Sequence, residues 1–253
     1  MRKYIVAFLI LALAFPPFTN AAWRSTSAND ANDGYINSTN AKSIPGVGNL
    51  TVGAFVYLDA TNNTSRIMEL TKSGQTDFVF LLNVNIDDLN NEPFCQARTD
   101  LANPEAKGNV SLPAGHWFYI RCKMDDTTLG SIDVDVFDVT STAIISTGSG
   151  AFVVANRQAA DGVLIGRGSP NTTNGMNGRI RGLSICECLE TDAQTRNRIR
   201  ALQPLITGPS LHTYYPLTGK GDTREVVKGF NATQNNPDTI STQPDTHILN
   251  YKY

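Results

Sequence analysis

The chain has 253 residues, of which 41% are hydrophobic and 17% are charged, and its formal net charge at pH 7 is −2. Because neither sign of charge is gathered in a long block, the sequence argues against nucleic acid or an anionic membrane surface as a partner. The length suffices for one all-β domain of roughly 150 to 200 residues with extensions, so a single domain with tails is predicted.

The N-terminus has the order of segments that is typical of a secretory signal peptide. Arg2 and Lys3 precede an apolar run at residues 4–15, and small residues follow at 19–22. The apolar run is shorter than the ~20 residues that cross a bilayer, and no later segment approaches that length. We therefore predict that residues 1–21 are a signal peptide. The mature protein should be secreted, extracellular or at the cell surface, without a membrane span.

After this segment the sequence predicts an arm and then a series of strands. Residues 22–48 are polar and rich in Ser, Asn, Asp and Gly, which favours an N-terminal arm that leads into the domain. From residue 52 onward, short β-prone runs alternate with turn-forming residues. The runs lie at residues 52–58, 78–86, 116–124, 132–136, 142–145, 152–154, 163–165 and 180–189. Many short strands at roughly 8 to 12-residue spacing are typical of a sandwich or barrel.

One helix is predicted, directly after the last of these runs. Thr191 and Gln194 have the spacing of a capping box, which occupies free amide donors of the first helical turn. The helix should extend to about Leu202, and we expect Ile199 and Leu202 to face the sheet. Three arginine side chains of the helix are expected to be mainly solvated: Arg196, Arg198 and Arg200.

Three segments of the chain resemble a known family. Residues 178–185, followed by the helix that begins at Thr191, resemble the final strand and helix of laminin-G-like, concanavalin A-like domains. Residues 50–58 look like the opening core strand of that family, and residues 115–120 look like its central strand. The resemblance implies an all-β fold, a two-sheet antiparallel jelly-roll sandwich with one short C-terminal helix after the last core strand.

The resemblance also sets the expected domain boundaries. It covers residues 49–206, which we predict as the laminin-G-like domain, followed by a C-terminal extension and tail at residues 207–253. Part of that extension resembles the segment that flanks such domains in surface and phage-tail proteins. One departure concerns ligand binding, because the family's opening strand usually carries a tryptophan, whereas Phe55 and Tyr57 lie in that region here.

The four cysteines are Cys95, Cys122, Cys186 and Cys188. An even number of cysteines in an exported chain predicts disulfides, and the one-residue gap between Cys186 and Cys188 does not match the common zinc motifs. On a strand, residues i and i+2 lie about 6 to 7 Å apart, which is too far for the ~3.8 Å between bridged Cβ atoms. We therefore expect one of this pair to bond to Cys95 and the other to Cys122.

The sequence contains seven Asn-x-Ser/Thr acceptors for N-linked glycans. In a eukaryotic secretory route these would be surface loops that carry glycans, whereas in an Asn-rich chain the short motif also arises by chance. The acceptors are Asn37, Asn49, Asn62, Asn63, Asn109, Asn171 and Asn231.

An acidic run offers the sharpest hypothesis for an enzyme. Asp133, Asp135 and Asp138 occupy the positions of the Glu-x-Asp-x-x-Glu strand of sandwich glucanases, which implies a nucleophile and a general acid. Retaining hydrolysis needs the two carboxyl groups ~5 to 5.5 Å apart. On a regular strand, Asp133 and Asp138 would face opposite sides, so catalysis also requires a β-bulge. The simpler interpretation, which we favour, places Asp133 and Asp135 on the solvated face of an amphipathic strand.

The predicted binding function requires no cofactor. Calcium is the only cofactor for which the sequence offers ligands. Asp87, Asp88, Asp125 and Asp126 supply hard oxygen atoms at predicted turns, and jelly-roll domains of this type often hold calcium at the sheet rim. The alternative is that both pairs simply form hairpin turns, where Asp is favoured.

Sugar recognition needs aromatic rings for stacking and polar side chains for hydroxyl groups. Trp23, near the mature N-terminus, could be exposed, whereas Trp117 lies in a predicted strand and is expected in the core. The Gly- and Asn-rich stretch at residues 166–178 is a candidate ligand loop or an ordinary turn. It supplies three amide side chains: Asn171, Asn174 and Asn177.

These observations predict a non-catalytic binding or adhesion module, with a glycan or a surface glycoprotein as partner by family analogy. The first alternative is a structural subunit of an extracellular appendage or virus-like particle, which self-assembles through its terminal strands. The second is a glucanase-like hydrolase that uses Asp133 and Asp138. Because the sequence has no Gly-x-Ser-x-Gly, phosphate-binding loop or His-Glu-x-x-His motif, other enzyme classes lack support.

Overall fold

The computed structural model describes residues 21–25, 35–38, 44–59, 65–73, 78–84, 92–99, 103–126, 130–151, 157–167, 175–176, 178–201, 211–217, 233–235 and 243–244. Within these ranges the strands are β1 (Ala21–Ser25), β2 (Tyr35–Ser38), β3 (Leu50–Leu58), β4 (Ser65–Thr71), β5 (Phe78–Val84), β6 (Pro93–Ala97), β7 (Glu105–Lys107), β8 (Trp117–Asp125), β9 (Ser131–Asp138), β10 (Ile144–Ala151), β11 (Gly162–Ile165), β12 (Gly178–Cys186), β13 (Leu211–Tyr215), β14 (Thr233–Asn235) and β15 (Gln243–Pro244). The helix α1 is Asp192–Ala201.

The strands form two sheets in which every paired strand runs antiparallel to its neighbour. The larger sheet has the order β10-β9-β8-β3-β12-β1-β15, and β13 also pairs with β12. The smaller sheet has the order β14-β2-β11-β4-β5-β6-β7. Together with the single helix among the described residues, this arrangement confirms the predicted all-β, two-sheet antiparallel sandwich.

The core lies between the sheets because apolar residues alternate along the strands of both. Val52, Ala54 and Val56 of β3 are fully buried, as are Phe80 and Leu82 of β5 in the smaller sheet. Burial of side chains of this size contributes roughly 1.5 to 3 kcal/mol each. This core is the main force that holds the two sheets together.

A second, smaller apolar cluster lies on the outer face of the larger sheet, under α1. It contains Phe55, Tyr119, Phe137 and Ile199, with Ile199 supplied by the helix. The predicted capping box is confirmed, because the Thr191 amide donates to the Gln194 carbonyl oxygen and the Gln194 amide donates to the Thr191 hydroxyl. The helix therefore begins and packs as the sequence predicts, while Leu202 lies outside the described residues.

The expectation of three solvated arginines on α1 is wrong for Arg198. Its side chain is buried and bonds to the Glu190 carboxylate, with Nη2 to Oε1 at 2.8 Å. Arg196 is half-buried and donates to the carbonyl oxygen of Thr142, whereas Arg200 is exposed. The sequence periodicity missed the burial of Arg198 because Glu190 precedes the helix and compensates the charge there.

The predicted disulfide pairing is also wrong. Cys95 of β6 bonds to Cys122 of β8 and links the two sheets through the core, and Cys186 bonds to Cys188. The prediction assumed that both members of the second pair lie on a strand. In fact β12 ends at Cys186 and the chain bends at residues 187–188, which brings the Cα atoms to 5.2 Å. That separation is within the range that a disulfide bridges.

The sheets extend beyond residues 49–206 at both ends of the chain. The predicted arm contributes β2 to the smaller sheet and all of β1 except Ala21, the last residue of the predicted signal peptide, to the larger sheet. The predicted extension contributes β13, β14 and β15. Of these strands, β14 and β15 are the outermost strands of their sheets, whereas β13 supplies Tyr214 and Tyr215, whose side chains are buried. Of the predicted signal peptide, residues 1–20 lie outside the described residues. In the part of the chain that is described, no helix has the length and hydrophobicity that a membrane crossing needs.

Candidate functional site

One end of the larger sheet gathers aromatic and charged side chains at the ends of three strands. Here β3 ends, β8 begins and β12 begins, so Tyr57 lies directly opposite Trp117 on one side and Arg179 on the other. Asp59 follows β3 and His116 precedes β8. We name this set, consisting of Tyr57, Asp59, His116, Trp117 and Arg179, the aromatic rim.

Tyr57 is the centre of the aromatic rim. It alternates with the core residues Val56 and Leu58 and therefore projects from the outer face of the sheet. The centroids of the Tyr57 and Trp117 rings are 5.5 Å apart, and the Arg179 guanidinium carbon lies 4.6 Å from the centroid of the Tyr57 ring. The guanidinium group thus lies over the ring in cation–π geometry, which fixes the orientation of both side chains.

The charge of Arg179 is balanced within the aromatic rim. Its Nη2 lies 3.7 Å from Oδ1 of Asp59, and both side chains are half-buried. A charged pair of this kind presents both hydrogen-bond donors and acceptors without a net charge. The Asp59–Arg179 pair therefore has no net charge, and Asp138, which lies near His116, adds a carboxylate at this end, so strongly anionic groups are disfavoured here.

Exposure separates the aromatic residues of the rim into two groups. Trp117 is 7% exposed and belongs to the apolar cluster under α1, which confirms its predicted place in a core. Tyr57 is half-buried and His116 is exposed. A ligand at this end would therefore meet Tyr57 and His116, while Trp117 supports Tyr57 from beside it.

The turn before β8 presents His116 at the rim. Gly115 has φ of +81°, a conformation that glycine adopts at little cost, and its amide donates to the Leu58 carbonyl oxygen at 2.9 Å. This bond ties the start of the turn to the end of β3. The exposed imidazole of His116 follows Gly115 at this strand end. Its ring centroid lies 6.4 Å from that of Phe118, a core residue of the inner face, whereas Tyr57 projects from the outer face.

The strand of Trp23 and the described ends of the predicted ligand loop also lie at this end of the sheet. Trp23 pairs with Ile180 through the main chain of β1 and β12, and Ser25 pairs with Gly178. The predicted ligand loop leads directly into Gly178, and its Met176 amide donates to the Gly166 carbonyl oxygen at 2.8 Å. Three predicted ligand residues of that loop lie outside the described residues: Asn171, Asn174 and Asn177.

The acidic strand does not have the geometry of a hydrolase site. The pairing of β8 with β9 is regular from Asp138 to Ser131, so no bulge there turns Asp133 and Asp138 to one side. Asp138 instead closes the turn after β9 and accepts hydrogen bonds from the amides of Thr140 and Ser141. The condition that the sequence set for catalysis is therefore not met by the described strand.

Asp135 is buried, which corrects the expectation that it lies on a solvated face. Its Oδ2 accepts from Arg121 Nη2 at 2.6 Å and lies 3.2 Å from Lys123 Nζ. Asp133 is half-buried and accepts from the Ser131 hydroxyl at 3.2 Å. The face is polar, as predicted, but α1 covers its middle.

A fully buried arginine, which the sequence did not single out, joins β8 to this helix. The Arg121 guanidinium donates to Asp135 and Asp192, each at 2.6 Å, to Thr195 Oγ1 at 2.7 Å and to the Glu190 carbonyl oxygen at 3.0 Å. The sequence offered one signal for this contact. Arg121 lies on the face of β8 that meets the acidic residues of β9. Arg121 holds the helix on the sheet, because its guanidinium group binds the carboxylates of both Asp135 and Asp192.

The pKa values of two carboxyl groups follow from these contacts. Hydrogen bonding from Arg121 lowers the pKa of Asp192 below its ordinary value and outweighs the opposing effect of burial. Burial alone would raise the pKa of Asp138, but hydrogen bonds from Ser141 and Thr140, together with nearby His116, hold it below its ordinary value. Both carboxyl groups are therefore stabilised in the charged form, whereas a general acid needs a raised pKa.

The described calcium candidates lie at the other end of the larger sheet. Asp126 Oδ2 accepts from the Gly48 amide at 2.5 Å, and the Asp126 amide donates to Asn49 Oδ1 at 3.1 Å. The Oδ1 atoms of Asp125 and Asp126 are buried without a hydrogen bond. In the described ranges no three Asp, Glu, His or Cys side chains cluster so as to hold a metal ion, and Asp87 and Asp88 lie outside those ranges.

Three of the predicted glycan acceptors lie among the described residues. Asn109 is exposed, whereas Asn37 in β2 and Asn49 are half-buried. The Asn109 side-chain oxygen Oδ1 accepts a hydrogen bond from the Thr147 amide at 3.1 Å. The side-chain nitrogen of Asn109, the acceptor atom for an N-linked glycan, belongs to an exposed side chain. The other four acceptors lie outside the described residues: Asn62, Asn63, Asn171 and Asn231.

No protein-family model and no curated protein sequence matches this chain. Its structure is similar to that of a native heptameric SAP-like pentraxin from Limulus polyphemus, with a TM-score of 0.63 and 11% identity over 93% of this chain and 100% of that one. It is also similar to a proposed carbohydrate-binding protein from Bacteroides ovatus, with a TM-score of 0.57 and 14% identity over 90% of this chain and 61% of that one. The enzymatically active domain of tailspike protein 2 from bacteriophage CBA120 has a TM-score of 0.50 and 10% identity over 83% of this chain and 35% of that one.

At these identities the similarity concerns the fold. The similarity extends over 93% and 90% of this chain for the first two of these structures, so it includes both sheets and the helix that follows β12. The chain therefore has a two-sheet jelly-roll sandwich fold, which these solved structures share.

Proposed function

We propose that this chain is a secreted, non-catalytic binding module whose ligand is a carbohydrate, and that the sugar binds at the aromatic rim. The observation that carries the proposal is the convergence at one sheet end of Tyr57, the Asp59–Arg179 pair and exposed His116 with the strand of Trp23. The description of the B. ovatus neighbour as carbohydrate-binding supports the same ligand class.

The chemistry of the aromatic rim fits a sugar ring. Arg179 covers one face of the Tyr57 ring and Trp117 lies beside it, so a pyranose would pack its C–H groups against the part of the ring that stays exposed. Its hydroxyl groups both donate and accept hydrogen bonds. Asp59 accepts and Arg179 donates, so adjacent hydroxyl groups of one ring could bond to both. Because this pair carries no net charge, we expect neutral sugars to bind more tightly than sulfated ones.

The contacts of the acidic strand support a non-catalytic role. Arg121 and Lys123 neutralise Asp135, and the turn after β9 occupies Asp138. One phage neighbour is described as an enzymatically active domain, but it shares 10% identity, and this chain covers 35% of its length. A hydrolase that used Asp133 and Asp138 would lose activity when either is changed to Asn, and the proposal expects no glycan cleavage by the unchanged protein.

The test is a glycan-array screen of residues 22–253, followed by titration calorimetry with the best neutral glycan. We expect His116→Ala to weaken binding about 3-fold to 10-fold and Tyr57→Leu to weaken it more, since one hydrogen bond contributes about 0.5–1.5 kcal/mol. Val47→Ala, at an exposed residue beyond the other end of β3, is the matched control and should bind normally.

His116 is exposed, so its substitution tests the site without a loss of packing. Near-ultraviolet circular dichroism of each variant shows whether the sandwich is intact. If a glycan binds and both rim variants bind it as the unchanged protein does, the proposed site is wrong. If no glycan on the array binds at micromolar concentration, the carbohydrate ligand itself is wrong.

A further inference from the structure

The Cys186–Cys188 disulfide lies at the surface of the protein. Cys186 ends β12 and is 8% exposed, whereas Cys188 is half-buried on the bend that follows the strand. The residues on both sides of Cys188, Glu187 and Leu189, are exposed. Solvent and small solutes therefore reach this bend, and Cys188 is the more exposed member of the pair.

The Cys95–Cys122 disulfide provides a comparison within the same molecule. Both of its residues are completely buried in the core between the sheets. It spans 27 positions of the chain, against 2 positions for the bond between Cys186 and Cys188. A disulfide that closes a longer loop gains more stability from folding. Exposed disulfides that gain little from folding are the ones that exchange with thiols.

The main chain around the bend is held by contacts other than the disulfide. Cys186 pairs with Thr51 of β3. The Thr51 hydroxyl donates to the Cys188 carbonyl oxygen at 2.7 Å and accepts from the Glu190 amide at 3.1 Å. The carboxylate of Glu190 is in turn bonded to the buried Arg198 of α1. Cleavage of the sulfur–sulfur bond would therefore leave the two cysteines close enough to form it again.

We propose that the Cys186–Cys188 disulfide is a thiol–disulfide exchange site for low-molecular-weight thiols. The thiolate of a small thiol attacks Sγ of Cys188 and forms a mixed disulfide there, while the bond to Cys186 breaks and leaves its electron pair on Sγ of Cys186. A second small thiolate attacks the small-thiol sulfur of the mixed disulfide. This step releases the oxidised small molecule as a disulfide and Cys188 as a thiolate. The two protons of the small thiols end on Cys186 and Cys188.

The position of the two cysteines determines the size of the thiol and the direction of the reaction. Because Cys188 is only partly exposed, a small molecule reaches its sulfur more easily than a thiol on the surface of a folded protein. Cys186 stays next to the mixed disulfide and can attack Cys188 again at high effective concentration, so the exchange is reversible. Exchange is independent of glycan binding, because Cys186 ends β12 and the aromatic rim lies where β12 begins.

The first test places the protein, residues 22–253, in glutathione buffers with a rising fraction of reduced glutathione. Free thiols are alkylated and the cysteine-containing peptides are identified by mass spectrometry. We expect alkylation of Cys186 and Cys188 while the Cys95–Cys122 bond, the internal control, remains closed and near-ultraviolet circular dichroism shows an intact sandwich. The proposal is wrong if the core disulfide opens first, if both open together, or if neither opens before the protein unfolds.

Two single variants test the direction of attack. Cys186→Ser leaves Cys188 as a free thiol, and Cys188→Ser leaves Cys186 as the matched control. We expect the Cys188 thiol to react with an aromatic disulfide reagent roughly 10-fold faster than the Cys186 thiol, because access limits the rate at the buried residue. With oxidised glutathione, Cys186→Ser should also keep a stable mixed disulfide, visible by mass spectrometry, since the resolving thiol is absent.

Equal rates in the two folded variants, or a faster reaction of Cys186, would overturn the assignment of Cys188 as the attacked residue. Failure of the Cys186→Ser variant to form a mixed disulfide would overturn it as well. If either variant does not fold, the glutathione titration of the unchanged protein still decides whether the exchange site exists.

Discussion

Arg121 shows how one side chain decides the local structure of this protein. A buried guanidinium group is costly unless carboxylates and further acceptors surround it, and removal of one partner leaves an uncompensated charge. Arg121 is completely buried and has Asp135 from the neighbouring strand and Asp192 from the helix, with 11% and 51% of their side chains exposed. Asp135 holds Arg121 on the sheet, and Asp192 holds the helix on Arg121.

We therefore predict that the free energy of unfolding depends on pH in part through the carboxyl group of Asp192. Because the pKa of Asp192 is lower in the folded protein than in the unfolded chain, the unfolded chain binds more protons in acid. The stabilisation is present above the pKa of the unfolded chain and is lost as the pH falls through the folded value. Urea unfolding of Asp192→Asn between pH 7 and pH 3 should show a smaller loss of free energy of unfolding than the unchanged protein. Equal losses in the two proteins would contradict the assignment.

Residue patterns predicted some of these contacts and not others, for physical reasons. The alternation of Val52, Ala54 and Val56 is a local property, so it predicts the buried face of β3 without knowledge of its neighbours. The contacts of Arg121 depend on the register of β8 against β9 and on where the helix docks. Asp135 has the sequence appearance of a solvated residue, and only that non-local arrangement buries it.

At the scale of the elements, the sequence predicted β3, β5, β8, β9, β11 and β12, but it missed β4, β6 and β7 and placed the end of β12 too late. The capping box at Thr191 specifies the start of α1 with two local hydrogen bonds, so the helix was predicted correctly. No comparable local signal marks the end of β12. The prediction continued that strand to residue 189, beyond its end at Cys186, and so excluded the disulfide that forms at the bend.

The two disulfides should differ in their contribution to stability. The Cys95–Cys122 bond spans 27 positions and the Cys186–Cys188 bond spans 2. Loop-closure entropy gives about 3.6 kcal/mol for the first and about 1.6 kcal/mol for the second. Replacement of Cys95 and Cys122 by Ala should cost more still, because both side chains are completely buried in the core.

The measurement is urea unfolding of the two double-alanine variants beside the unchanged protein. We expect the midpoint to fall clearly further when the bond between the sheets is removed than when the bond at the bend is removed. The reverse order would mean that the bend at residues 187–188 needs its disulfide. That outcome is not expected, because Thr51 already bonds to the Cys188 carbonyl oxygen and the Glu190 amide across the same bend.

At the scale of the whole molecule, the sandwich places its two groups of candidate ligands at opposite ends. Trp117 begins β8 and Asp125 ends it, a separation of about 26 Å at the rise of a strand. The sequence proposed Asp125 and Asp126, but it did not propose Tyr57, Asp59, His116 and Arg179 as a group, because their proximity depends on strand direction and register in the folded sheet. It did predict the fold, since strand spacing and the final strand–helix segment are features of the sequence itself.

This separation leads to a prediction for calcium. If a calcium ion binds, the described residues that would hold it are Asp125 and Asp126, through carboxylate oxygens that have no hydrogen bond, and it would supply charge neutralisation at that end. Titration calorimetry in EDTA and in 2 mM calcium (a concentration on the order of weak extracellular calcium sites) should give the same glycan affinity within about 2-fold. An ion that binds the folded protein raises its stability. If calcium raises the stability of the unchanged protein, Asp126→Asn should remove that rise. A glycan affinity that falls strongly in EDTA would instead place the sugar at the end of the sheet that carries Asp125, away from Tyr57.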